Sequence, residues 1–123
     1  MCGGKTNFKT LIGRVDSLAF KFVWTREFAR ALEAAEEAVS LAPDRIYLYL
    51  NRAHALMFLG RVNEARALYL RYTNERNVQD GKPWETVVLE DFAELRKEGL
   101  ARPLMDEIER RFAATGLRRG PAR

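Results

Sequence analysis

Cysteine and histidine are almost missing from this chain, at one residue each in 123. The lone Cys2 excludes an intramolecular disulfide and a cysteine-rich metal site. His54 has no Cys, Asp or Glu at i±4 on its own helix, so it lacks the companions of a metal site, and with Cys2 it makes no catalytic dyad. No stretch approaches the roughly 20 apolar residues of a membrane helix, and "MCGGKTNFKT" has no apolar core of the signal-peptide kind. A glycine-rich phosphate loop is missing too, since "MCGG" lacks its spacing. These absences predict a cytoplasmic protein that is not an enzyme, with no cofactor, no metal and no membrane span. The abrupt start also fits a piece excised from a longer protein.

Charge of either sign is sparse as a block. The net charge is +4, and the excess sits at the two ends: residues 1–30 carry six Lys/Arg against two acids, and residues 101–123 six Arg against three. Arg61, Arg66, Arg71 and Arg76 recur every five residues, which scatters them around a helix and forms no phosphate-tracking stripe. Nucleic acid is therefore not the expected partner. Glu33, Glu36 and Glu37, like Asp106 and Glu109 beside Arg110, are expected to form solvated faces.

Hydrophobic residues make up 47% of the chain, enough for one folded domain of this length. Their spacing is helical throughout. Phe8, Leu11, Ile12, Val15, Leu18, Ala19 and Phe22 predict a first helix over about 7–24. Thr25 is placed to cap a second, with Phe28, Ala31, Leu32, Ala35, Ala38 and Val39 inward and Pro43 at its end. Asp44 is placed to cap a third carrying Tyr49, Ala53, Leu56 and Met57, which stops at Gly60. A fourth turns Val62, Ala65, Leu68, Tyr69 and Tyr72 inward.

"NVQDGKP" (77–83) is a loop. Pro83 is expected in the first turn of a fifth helix with Trp84, Val88, Phe92 and Leu95 buried. Pro103 opens a sixth with Leu104, Ile108 and Phe112, expected to end at Gly116. No run has the alternation of a strand.

A shift of 34 residues lays Ala53 on Ala19, Leu56 on Phe22, Val62 on Phe28 and Ala65 on Ala31. With Gly60 at the turn and Pro43 closing the first unit, "ARALEAAEEAVSLAPD" and "NRAHALMFLGRVNEARALY" resemble tetratricopeptide repeats. Arg26 stands where the family usually has Gly, Arg52 where Leu is common, and Asn77 where Pro would end the second unit. The resemblance implies an all-α, right-handed superhelix of three antiparallel hairpins: repeat 1 at 7–43, repeat 2 at 44–77, and a divergent repeat or cap at 83–116, between flexible tails at 1–6 and 117–123. In the third unit, aligning Gly99 on Gly60 puts Phe92 and Leu104 where Ala53 and Ala65 allow close approach.

The resemblance also implies a concave groove that binds a peptide or helix of a protein partner. Carried over residue by residue, its positions are Phe20, Val23, Trp24, Tyr47, Leu50, Asn51, His54, Met57 and Phe58. The carboxylate clamp of some members is not matched: only Asn51 fits, while Asp16, Thr86 and Glu90 occupy the positions of its cations. Two alternatives stand beside a free-standing interaction module: a repeat region from a larger bacterial enzyme or regulator, and a homo-oligomer whose groove is self-occupied.

Overall fold

The structure, a computed structural model, describes residues 8–118, with side chains as far as Thr115. Six helices follow in chain order: α1 (Phe8–Trp24), α2 (Phe28–Leu41), α3 (Leu48–Phe58), α4 (Val62–Arg71), α5 (Trp84–Lys97) and α6 (Pro103–Arg118). They form three successive hairpins, α1 with α2, α3 with α4 and α5 with α6, and the described residues contain no strand. The expectation for residues 1–6, with Cys2, and for 119–123 lies outside the described residues.

One backbone geometry recurs at all three hairpin turns. Arg26, Gly60 and Gly99 have φ of 65°, 83° and 79°. Each follows a helix whose last carbonyls are closed by the same pair of bonds: Arg26 N to Val23 O and Glu27 N to Phe22 O, Gly60 N to Met57 O and Arg61 N to Leu56 O, Gly99 N to Arg96 O and Leu100 N to Leu95 O. This pairing ends a helix through a left-handed residue, which glycine adopts without a Cβ clash. Arg26 adopts it at a cost of about 1–2 kcal/mol. Its guanidinium offsets part of that by donating to Glu98 O at 3.2 Å, at the C-terminal end of α5.

Several predicted helix ends move. Thr25 does not cap α2: its hydroxyl bonds Phe22 O and Glu27 Oε2, and α2 begins after Glu27 without a side-chain cap. Asp44 does not cap α3, because residues 42–50 first run through i→i+3 bonds, from Arg45 N to Ala42 O through Leu50 N to Tyr47 O, and α3 begins at Leu48. Pro83 is the N-cap of α5, its carbonyl accepting from Val87 N at 3.1 Å. Helix α6 runs past Gly116 to Arg118, so residues 117 and 118 belong to it and not to a tail. Within the 77–83 loop, Gln79 and Lys82 bridge across Asp80 and Gly81, whose φ of 54° and 77° make the tight turn an Asp-Gly pair favours.

Small side chains set the packing. Ala19, Ala31, Ala35, Ala53 and Ala65 are all fully buried and let α1 to α4 approach closely. Contact is closest between α1 and α2 and between α2 and α3, and sparse between α5 and α6, where Phe92 and Leu104 replace the alanines. Helix α3 is enclosed on nearly every side, its buried set running from Leu48 to Phe58. Helix α1 is the opposite case: Phe8 and Leu18 of its predicted inward stripe are 53% and 45% exposed, as is part of Leu11. It packs chiefly on α2 and α3, so only Ile12, Ala19 and Val23 are buried. Val62 of α4 is likewise exposed.

The acids of α6 also act as braces, Asp106 keeping the solvent exposure expected of it. Arg66 of α4 grips Glu107 at 2.6 and 2.9 Å. Arg96 of α5 grips Glu109 at 2.6 and 3.0 Å and also reaches Asp106 at 2.9 Å. Partly exposed pairs of this kind add modest stability, but their bidentate geometry fixes where α6 lies relative to α4 and α5.

Candidate functional site

The first helices of the three hairpins, α1, α3 and α5, bring a line of polar side chains together. Asn51 of α3 donates through Nδ2 to Asp16 Oδ1 at 3.0 Å and to Asp16 O at 3.3 Å. One turn further along α3, His54 Nε2 lies 2.9 Å from Asp91 Oδ2 of α5, and its Nδ1 lies 2.7 Å from the Tyr69 hydroxyl of α4. His54 is fully buried.

The proton positions follow from the partners. Burial, reinforced by the charge of Asp91, pushes the Tyr69 hydroxyl well above its usual pKa, so it remains a phenol and donates. His54 Nδ1 therefore accepts, and Nε2–H donates to Asp91. Both ring nitrogens are satisfied in a tautomer that needs no charge. The array has the outline of a relay, but its hydroxyl is completely enclosed and held from ionising, so it locks α3, α4 and α5 together. Asp16 is perturbed in another way. Burial pushes its carboxyl up to about 6, partly opposed by the Asn51 bond and aided by the negative charge of Asp91.

Above this line opens a cleft of about 300 Å³, lined by Asp16, Ser17, Phe20, Tyr47, Leu50, Asn51, Gln79 and Asp91. Four predicted groove residues are therefore in one place: Phe20 and Tyr47 half-buried on the walls, Leu50 and Asn51 buried but still part of the lining. Trp24 stands half-buried beside them, edge-on to Phe20 at 5.5 Å between ring centroids.

The other four, Val23, His54, Met57 and Phe58, are core and not surface, which corrects their placement. Neighbours on both sides enclose them: α2 and α4 of the first two hairpins, and the third hairpin through Asp91 and Phe92 at His54. Phe58 stacks on Phe28 at 4.7 Å and receives the Arg102 guanidinium at 4.8 Å. Met57 Sδ lies 4.0 Å from the Tyr69 hydroxyl, and Val23 joins the same apolar cluster.

Asp91, Ser17, Gln79 and Tyr69 are the contributors that spacing along one helix does not reveal. Asp91 is 37 residues beyond His54 and Asp16 is 35 before Asn51, close to one repeat in each case. Comparing each first-helix residue with positions one repeat away finds both pairs. Among the described residues no three His, Cys, Asp or Glu side chains gather as a metal site needs, and no helix is long and apolar enough to cross a membrane.

In comparison with known proteins, the family model of the tetratricopeptide repeat matches residues 26–80, from the first hairpin turn to the Asp-Gly turn. No curated protein and no solved structure matches the chain.

Proposed function

With residues 26–80 matching the tetratricopeptide repeat family, we propose that the chain is an interaction module whose cleft between α1, α3 and α5 holds a segment of a partner protein. Repeats of this family generally mediate protein–protein interaction and are generally non-catalytic scaffolds. The observation that carries the reading is the cleft itself, with Phe20 and Tyr47 half-exposed over a floor of Leu50 and Asn51. Aromatic walls over a floor that pairs an apolar Leu50 with a polar Asn51 supply contact area at low entropic cost and a hydrogen-bonding group that fixes a backbone. Trp24 extends the apolar wall. The setting that goes with this reading is the cytoplasm.

Affinity capture from a native lysate tests it. Wild type is expected to retain proteins that a Phe20→Ala, Tyr47→Ala double variant loses, while Val62→Ala, on the exposed side of α4, retains them. Equal capture by all three contradicts the reading.

A second reading, self-association, is favoured by the exposed Phe8, Leu11 and Leu18 on α1, since contiguous apolar surface marks contact sites. Light scattering at micromolar concentration decides it: a dimer that Leu18→Glu converts to monomer supports it, and a monomeric wild type overturns it.

A further inference from the structure

We infer that the occupant of the cleft presents a cationic side chain, a lysine or arginine of the partner segment, between Asp16 and Asp91. The inference rests on the reading of the cleft as the partner site and names the chemistry that the site selects.

Two carboxylates from different helices, Asp16 of α1 and Asp91 of α5, line one cleft, and neither meets a Lys or Arg side chain among the described residues. Asp91 has only the His54 imidazole N–H as a partner, and Asp16 has only the Asn51 amide. One oxygen of each, Asp16 Oδ2 and Asp91 Oδ1, accepts no hydrogen bond from a described residue. Elsewhere in the fold, carboxylates that stand close to a neighbouring helix are matched, as Glu107 is by Arg66 and Glu109 by Arg96.

A second observation is independent of the charges. Asn51 lines the cleft at 6% exposure, and its Oδ1 has no hydrogen-bond partner. Buried carbonyl oxygens are rarely left so. The site therefore offers three unfilled acceptors, two of them carboxylate oxygens, and no Lys or Arg of its own among the described residues, which suits a positively charged donor, an ammonium or a guanidinium. Such a cation is placed to meet Asp16 Oδ2 while Asp16 Oδ1 keeps its bond from Asn51 Nδ2. Phe20 and Leu50 provide apolar surface for the methylene stem behind the charge. Two carboxylates with an imidazole already committed to one of them do not make a metal site, and repulsion excludes an acidic segment.

The test is selection of a random dodecapeptide phage library on the full chain, followed by titration of the best synthetic peptide. Peptides carrying Lys or Arg beside an apolar residue are expected. Replacing that Lys or Arg with norleucine is expected to weaken binding by about tenfold or more. Asp16→Asn is expected to weaken binding similarly and Asp16→Glu to restore it, with circular dichroism showing all variants folded.

Selected peptides that lack Lys and Arg, yet are lost with Phe20→Ala and Tyr47→Ala, overturn this inference and leave the interaction module standing. No selected peptide at all removes both. Spermidine bound alone with the same dependence on Asp16 makes the occupant a small polyamine and overturns the inference. A rise in peptide affinity when residues 119–123 are removed makes it the chain's own basic tail, with the same consequence.

Discussion

His54 Nε2 and Asp91 Oδ2 meet at 2.9 Å between α3 and α5, and this bond pins the third hairpin over the middle of the second. Asp91→Ala leaves a fully buried imidazole N–H without a partner, which costs about 1–3 kcal/mol. Asp91→Asn keeps an acceptor and is expected to lose less than half as much. Urea unfolding of both variants checks the order. If Asp91→Asn is as destabilised as Asp91→Ala, the bond is not what holds the hairpins together.

Asp16 makes stability depend on pH in a direction opposite to a paired carboxylate. Its folded pKa is near 6 against an ordinary value of 3.8, so the folded protein binds this proton more tightly than the unfolded chain does. The contribution is fully present below pH 4 and is lost as pH rises through 6. Asp16→Asn removes the buried charge, keeps an acceptor for Asn51, and is expected to stabilise the protein by about 2 kcal/mol at pH 7.5. The advantage over wild type should vanish near pH 4. A constant difference across that range would mean that Asp16 is not desolvated.

The three left-handed turns respond differently to substitution. A Cβ at Gly60 meets nothing within 4 Å, so Gly60→Ala tests backbone strain alone and is expected to cost about 1–2 kcal/mol. Arg26→Gly relieves the same strain but loses the bond to Glu98 O and adds freedom to the unfolded chain. It should lie within about 1 kcal/mol of wild type. Thermal unfolding of the pair separates the two effects.

Close approach of α3 to its neighbours depends on Ala53, which is fully buried. Ala53→Leu is expected to destabilise by about 1–3 kcal/mol or more through overpacking. Enlarging Ala67, exposed on α4, to Leu should change stability by less than about 0.5 kcal/mol. Equal effects at the two positions would contradict the alanine-set packing.

Helix number, the three hairpins and the alanine interfaces were legible in the sequence, because a buried alanine recurring at the same place in the first two units has few causes other than close packing. The turn at Arg26 was legible only through the repeat, since an arginine gives no local sign of a positive φ. Four of the nine groove residues were misplaced for a physical reason. Val23, His54, Met57 and Phe58 were read as groove, but Phe28 of α2 and Tyr69 of α4 enclose them from within the first two hairpins, and Asp91, Phe92 and Arg102 of the third close over His54 and Phe58 where it docks. That docking is carried by Asp91, Trp84 and Arg102, residues of the divergent unit whose register the repeat pattern fixes least. Periodicity shows which face of a helix is apolar, but not whether the next hairpin covers it.

The most direct measurement is photo-crosslinking from within the cleft. A photoreactive phenylalanine derivative at Tyr47 should trap partner protein in a native lysate, and the same group at Ala67 on α4 should trap none of it. Crosslinking of the same protein from Ala67 but not from Tyr47 would put the partner on the opposite face and remove the cleft as the binding site.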